Sequence, residues 1–348
     1  MNGSPSAWEP DVLPDYWQHT LPLGPDPDGE GDLVATLVRR GGGGRSDLAI
    51  LALHGYTDYF FHTELADRFA ARGFAFYAVD LHKCGRSRRG DQTPHFTTDL
   101  ASYDAELERA LEVVAADTGG AEVIVYGHSA GGLIATLFLD RLRSRGATAA
   151  VNVCGLVLNS PFLDLHGPAI LRSAPTSAAL KALGRWRKTT VVRKPTPGGY
   201  GTSLHRDYAG EFDYNLDWKP VGGFPITFGW INAIRRGQAA LHRGLDVGVP
   251  NLVLRSDHSV REAPDPETIQ RGDAVLNVAQ IARWAGCVGN HTTVAPIADA
   301  KHDVFLSLAE PRQAAYRELD RWLDRFVPEA VADPMADLPS TPIRPERG

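Results

Sequence analysis

Short apolar runs recur along the chain, and the segments between them follow a different period. GDLVATLVRR, LAILALHG, AFYAVDL, VIVYGHS, GLVLNSPF, NLVLRSD and TTVAPIAD are continuous apolar stretches, mostly β-branched or aliphatic, as in strands buried on both faces. Between the second and fifth of them lie TELADRFAARG, DLASYDAELERALEVVAAD and GLIATLFLDRLRSRG, whose apolar residues return with a helical period. Strands alternating with helices predict an α/β fold with a mostly parallel sheet flanked by helices. Ligands of such sheets bind beyond the carboxyl ends of the strands. His54, Gly55, Asp80, Ser129, Asp164 and Asp257 stand at those ends, and His302 follows the last strand.

The alternation stops between about Asp164 and Ile234. That stretch is too long for a loop in a compact domain, and from Tyr200 to Trp230 it is dense in aromatic residues. It reads as a cap inserted over the strand ends. The expected organisation is a first core part (1–163), a cap insertion (164–232), a second core part (233–328) and a disordered Pro-rich tail (329–348). The helix INAIRRGQAALHRG resumes the pattern, and EPRQAAYRELDRWLDRFV closes it with Tyr316, Leu319, Leu323 and Phe326 on one face. The glycines of GGGGRSD are followed by no Lys-Ser/Thr, so they read as a flexible hairpin link and not a phosphate cradle.

VIVYGHSAGG carries the chemistry. A strand that becomes a helix within a few residues needs small neighbours, and G-x-S-x-G is the turn that holds a strained serine clear of the sheet. Ser129 is the candidate nucleophile. A serine hydroxyl needs a base to take its proton, and His302, just beyond the final strand, is the candidate. His291 precedes that strand and belongs at the opposite edge of the sheet. The developing oxyanion needs donors. The N–H of Ala130, after the nucleophile, is one; the N–H of Tyr56, in the turn HGYTDYFF, is the other. Three carboxylates compete for the triad acid: Asp164, Asp257 and Asp273.

Composition narrows the field. The 348 residues carry a net charge of -6, which argues against a nucleic-acid partner. The three cysteines are far apart and form no C-x-x-C, so neither a disulfide framework nor a zinc site is expected, and a reducing compartment fits. The opening residues lack a basic region followed by an apolar one, so a cytoplasmic location is expected. From Leu165 to Arg206 there is no Asp or Glu, while Arg172, Lys181, Arg185, Arg187, Lys188, Arg193, Lys194 and Arg206 are basic. Such a run is compatible with a cap that makes peripheral contact with an anionic membrane or steers anionic substrates. A solvated basic face is the commoner meaning.

LALHGYTDYFFHTELADRFAARGFAFYAVDLHKCGRSRR followed by VIVYGHSAGG resembles the monoacylglycerol lipase, lysophospholipase and serine aminopeptidase group of α/β-hydrolases. The resemblance is good over about 48–163 and moderate over about 245–327. It implies the α/β-hydrolase fold and a serine esterase acting on a lipid-like or small acyl ester, of monoacylglycerol or lysophospholipid type, without cofactor or metal. Asp80, Arg86 and Ser87 are then scaffold. One departure concerns the acid. The group's pattern V-L-H-G-x-x-D-x-V-V is replaced by NLVLRSDHSV, with Ser259 where the Asp belongs. Asp273 begins DAVLNVAQIARWA and restores the pattern after an insertion, VREAPDPETIQRG, so Asp273 is the expected acid and Asp257 a turn-stabilising residue. Aminopeptidase-like or thioesterase activity on the same triad, and a non-catalytic ligand-binding relative, are the alternatives.

Overall fold

The computed structural model describes residues 8–147, 152–165, 187–195, 199–260 and 266–327. Strands β1 (Glu9–Pro10), β2 (Tyr16–Pro25), β3 (Asp32–Arg40) and β4 (Leu48–Leu53) lead to helix α1 (Thr63–Ala70) and strand β5 (Ala75–Asp80). Then come α2 (Asp104–Thr118), β6 (Glu122–His128), α3 (Ala130–Ser144) and β7 (Val153–Asn159). The inserted stretch contributes β8 (Val191–Arg193) and β9 (Ile226–Thr227), which pair antiparallel in a small sheet of their own. The chain continues through α4 (Phe228–Leu241), β10 (Asn251–Ser256), α5 (Pro266–Gln270), α6 (Val278–Trp284), β11 (Thr292–Ile297) and α7 (Ala309–Phe326).

The main sheet of the described residues has nine strands in the order β1-β2-β3-β5-β4-β6-β7-β10-β11. From β5 to β11 every pair is parallel; β1, β2 and β3 are added antiparallel at one edge. All seven apolar runs are strands. For six of them continuous hydrophobicity is explained by the two clusters they feed; β11, at the edge, feeds only the second, through Ala295 and Ile297. Ala49, Leu51 and Leu53 of β4 face one cluster with α2, α3 and α4, while Leu48, Ile50 and Ala52 face the other with α1 and α7. Period-2 alternation thus sends successive side chains into two different apolar layers. Tyr316, Leu319 and Leu323 of α7 are buried in the second layer, with Phe326 packed beside them.

One strand went unread in the sequence, and one expectation needs correction. The Pro/Asp-rich opening hides β2, a ten-residue strand whose Pro22 and Pro25 sit at a register shift and at its end. Proline is tolerated there because bulges and strand ends do not need its missing N–H. The four glycines are not a hairpin link. β3 pairs with β5, so residues 41–44 carry the chain across β5 to the sheet centre. Helix α4 also begins at Phe228, inside the stretch assigned to the insertion. The tail 329–348 and the greater part of the basic run lie outside the described residues. Of the run's described members, Lys188 pairs with Asp28 at 3.0 Å and Arg206 with Asp213 at 3.0 Å. Among the described residues no helix is long and apolar enough to cross a membrane.

The order of strands reverses at β4, which lies between β5 and β6 although it precedes both. The crevice at such a switch point is where open α/β sheets bind ligands. The loops leaving β4 and β6 carry Tyr56 and Ser129.

Candidate active site

Ser129 ends β6 and caps α3 with φ 52° and ψ −115°. A left-handed φ is unfavourable for a residue with a Cβ and persists only where the surroundings impose it. Here they do. A Cβ on Gly131 would lie 2.3 Å from the carbonyl oxygen of His54, so α3 starts against the end of β4 with room for glycine only. The strand–turn–helix expected of VIVYGHSAGG is present.

His302 Nε2 lies 2.9 Å from Ser129 Oγ, and His302 Nδ1 lies 3.0 Å from Asp273 Oδ2. All three residues are buried. The second carboxylate oxygen of Asp273 accepts the N–H groups of Val275 (2.8 Å) and Leu276 (2.7 Å), which fix the rotamer. Of the insertion predicted after Ser259, Pro266–Gln270 form α5 and residues 261–265 lie outside the described residues. Asp273 returns beside Ser259 in a β-bridge, with its N–H donated to His258 O (3.1 Å) and its carbonyl accepting from Val260 N (2.9 Å). Ser259 Oγ donates to Leu276 O and accepts from Val278 N, and so pins the start of α6. The rival carboxylates are engaged elsewhere. Asp257 is exposed, 2.7 Å from His258 Nδ1, and accepts the N–H of Asp299. Asp164 accepts from Leu165 N and Trp284 Nε1. His291 is exposed at the start of β11, far along the strand from His302.

The two expected oxyanion donors are brought beside the serine. A Cβ on Gly55 would sit 3.1 Å from Ser129 Cβ, so the Gly55–Tyr56 backbone runs directly over the elbow. His54 sets the direction of that peptide. Its Nε2 accepts the Leu81 N–H (3.1 Å), so Nδ1 carries the proton and donates to Gly55 O (2.8 Å). In a trans peptide the C=O and N–H point opposite ways. Anchoring Gly55 O on His54 therefore turns the Tyr56 N–H away from the sheet. Among the described residues neither the Tyr56 nor the Ala130 N–H meets an acceptor, and both residues line the cavity in which Ser129 and His302 stand. The scaffold expected of Asp80 and Arg86 is present: Asp80 accepts from Phe60 N (2.8 Å) and Arg86 Nη1 (2.9 Å), and Arg86 also donates to Phe60 O and Asp11.

The cavity holds about 520 Å³, within the range of small-molecule sites. Phe162, Ile226, Trp230, Ile231, Val275 and Leu276 give it an apolar wall, and Tyr200, Leu204 and Tyr214 of the inserted stretch close another side.

A family model described as serine aminopeptidase, S33, matches residues 44–267. The chain belongs to this hydrolase family. Its fold is that of the α/β-hydrolases. A monoglyceride lipase from Saccharomyces cerevisiae aligns at TM-score 0.60 and 15% identity over 89% of this chain and 96% of that one. A thermostable carboxyl esterase from Bacillus coagulans aligns at TM-score 0.57 and 15% identity over 89% and 98%. An esterase from Exiguobacterium antarcticum aligns at TM-score 0.52 and 13% identity over 87% and 99%. No curated protein sequence matches significantly.

This S33 hydrolase holds its site with two buried networks that the sequence did not announce. Asp303, beside His302, accepts from Asn159 Nδ2 (2.6 Å) through one oxygen and contacts His62 Nε2 (3.0 Å) through the other; His128 Nε2 is 3.9 Å away. His128 Nδ1 donates to Asn159 O at 3.2 Å. The residues next to the serine and next to the imidazole therefore share one anchor. Burial pulls the His128 imidazole down to about 4, against the raising effect of Asp303. Between that value and the ordinary histidine range the unfolded chain binds a proton that the folded one excludes, so stability rises with pH there. Acidification from pH 6.5 to 4 is expected to remove about 3 kcal/mol through this residue. Urea unfolding at several pH values, with His128→Gln losing that part of the slope, checks it.

The second network joins the loop after β4 to residues 215–225. Lys219 Nζ contacts Asp58 Oδ1 at 2.6 Å, and the other oxygen of Asp58 accepts the Gly55 N–H at 3.4 Å. Thr57 Oγ1 accepts from Phe224 N, Tyr56 OH donates to Pro225 O and Tyr59 OH accepts from Asn215 N. Burial pushes the Asp58 carboxyl up, yet the Lys219 ammonium and nearby imidazoles outweigh it and hold the acid well below its ordinary range. Lys219→Met leaves a buried carboxylate uncompensated, at an expected cost of about 3–5 kcal/mol. Adding Asp58→Asn should restore most of it, as a double-mutant cycle by denaturant unfolding would read. Sequence offered only a weak signal for either residue, since a lone Asp in a loop and a lone Lys before Pro are ordinary surface choices.

Among the described residues His54, Cys84 and His95 could approach a common metal ion. Both ring nitrogens of His54 are already committed, to Leu81 N and Gly55 O, so this group cannot ligate without breaking the hydrogen bonds that hold the loop after β4. Asp257, His258 and Asp299 form an exposed group already paired with one another.

Proposed function

We propose that this chain is a serine hydrolase of carboxylic esters, of the lipid-like or small acyl type. The observation that carries the reading is the unbroken Ser129–His302–Asp273 hydrogen-bond chain opening into an apolar cavity beside two N–H donors. Asp273 accepts the Nδ1 proton of His302 and leaves Nε2 as the base. As Ser129 Oγ attacks the ester carbonyl, its proton passes to Nε2 and the carbonyl electrons go to oxygen, where the Tyr56 and Ala130 N–H groups face them. Collapse of the tetrahedral intermediate breaks the C–O bond, and His302 returns the proton to the leaving alkoxide. Water then repeats the sequence on the acyl-serine, releasing the acid.

The family's description raises an aminopeptidase reading on the same triad. Recognition of a substrate's ammonium calls for an available carboxylate. Among the described residues the only carboxylate lining the cavity is Asp58, which Lys219 already neutralises. That favours esters with an apolar acyl part. The test is a chain-length series of p-nitrophenyl esters and monoacylglycerols on the purified protein. Turnover that rises from acetyl towards medium chains supports the reading. If no ester is turned over while a fluorophosphonate still labels Ser129, it fails, and amides and thioesters come next.

A further inference from the structure

Beside the nucleophile cavity lies a second recess of about 400 Å³, and the two share Leu165 and Arg235 in their walls. Helix α4 serves both. Trp230 and Ile231 face the first; Arg236, Gln238 and Ala239, further along, face the second. With a rise of about 1.5 Å per residue, Ile231 and Arg235 stand about 6 Å apart along the axis. The recess therefore begins within reach of a ligand lying at Ser129.

Its chemistry differs from that of the apolar cavity. Arg235, Arg236 and Arg283 line it, against one carboxylate, Asp164. Asp164 accepts from Leu165 N (2.8 Å) and Trp284 Nε1 (3.3 Å), and its charge also acts on Arg235. Arg236 donates to Thr98 O, and Arg283 makes no ion pair among the described residues. The Arg283 guanidinium lies 4.9 Å over the Trp284 ring, which is stacked on His242 at 3.6 Å and 12°. His242 is itself held by Leu163 O at 2.8 Å, so the aromatic floor under the guanidinium is fixed. The nucleophile cavity adds Arg193, Lys194 and Lys219 against Asp58. Six cations and two carboxylates thus surround one pair of adjoining cavities, in a chain whose net charge is -6. Concentrating one sign of charge in a cleft focuses its field and draws the opposite charge in. Guanidinium groups are the side chains best shaped to hold phosphate or carboxylate by paired hydrogen bonds.

We propose that this recess is a subsite for an oxyanion group, phosphate or carboxylate, carried by the acyl substrate away from its scissile bond. The proposal rests on the ester-hydrolase reading and narrows it to anionic amphiphiles, with an apolar chain against Phe162 and Trp230 and an anion among the arginines. The test compares kcat/KM within two pairs of esters. The first pair is 1-octanoylglycerol and its 3-phosphate. The second is p-nitrophenyl octanoate and the mono-p-nitrophenyl ester of octanedioic acid. In at least one pair the anionic member is expected to be favoured by about tenfold, the worth of a charge-assisted hydrogen bond. That advantage should fall about tenfold in Arg283→Gln. It should persist in Arg321→Gln, which removes the same charge from α7 at an exposed position. The responding pair tells phosphate on the leaving group from carboxylate on the acyl chain. Equal use within both pairs, an advantage that survives Arg283→Gln, or one lost equally in Arg321→Gln overturns the proposal. If none of the four esters is hydrolysed, the ester reading fails separately. Calorimetry of 1-octanoylglycerol 3-phosphate on Ser129→Ala protein then decides the recess: binding weakened about tenfold by Arg283→Gln supports it, and unchanged binding overturns it.

Discussion

Asp273→Asn is expected to lower kcat for a p-nitrophenyl ester by about 10⁴-fold, as in other Ser-His-Asp triads. The substitution keeps the side chain's shape, and Oδ1 can still accept from Val275 N and Leu276 N. What changes is the atom 3.0 Å from His302 Nδ1, which becomes an N–H₂ donor in place of an acceptor. Nδ1 must then accept, the proton moves to Nε2, and Nε2 can no longer take one from Ser129. Asp257→Asn should leave turnover within about twofold and stability within about 0.5 kcal/mol, because Asp257 is exposed and its carboxylate bonds His258 and the Asp299 N–H, away from His302. Initial rates and denaturant midpoints of the two variants, measured side by side, check both statements. A reversed order would move the triad acid to the turn after β10.

The larger effect is expected at the nucleophile and its base. Ser129→Ala and His302→Ala should each reduce kcat by about 10⁶-fold, and the double variant should be no worse than either single one. The two act as a unit: without the imidazole 2.9 Å away the hydroxyl keeps its proton, and without the hydroxyl the imidazole has nothing to activate. Binding in the apolar cavity and the Tyr56 and Ala130 N–H groups would remain, so some rate above the uncatalysed one should persist. Active-site titration must accompany the assay, since a trace of wild-type protein would dominate signals this small.

How much of this could be read from the chain depends on the range of the interaction. The elbow was legible because the glycines that its close approaches demand, such as Gly131 against His54 O, stand within a few residues of Ser129 between an apolar strand and an apolar helix. Six of the strands were legible because a strand with an apolar layer on each face has no polar alternation to disguise it, whereas β11, at the sheet edge, buries only Ala295 and Ile297. The acid was harder. Its position is defined by the bridge between Ser259 and Asp273, which the insertion separates in the chain, and local pattern pointed there through DAVLNVAQIARWA alone. β2 was missed because prolines mark turns more often than strand edges, and the glycine link was misread because nothing local reveals that β5 lies between β3 and β4. Asp58–Lys219 and the anchor at Asp303 are pairings over long separations between single polar residues. No periodicity carries such pairings; they become visible only when the folded chain brings the partners together.

The most direct test of the central claim, that Ser129 is a nucleophile activated through His302 and Asp273, is peptide mapping by mass spectrometry after brief exposure of the native protein to a fluorophosphonate. A triad-activated serine reacts by displacing fluoride and forming a stable phosphonyl ester, and among the described residues Ser129 is the one serine hydroxyl in hydrogen-bond contact with a histidine ring nitrogen. The expected result is one adduct per chain, on the peptide bearing Ser129. It should be absent in Ser129→Ala and strongly slowed in Asp273→Asn. An unlabelled Ser129 in protein that is demonstrably folded, or equal labelling with and without the Asp273 carboxylate, would contradict the account.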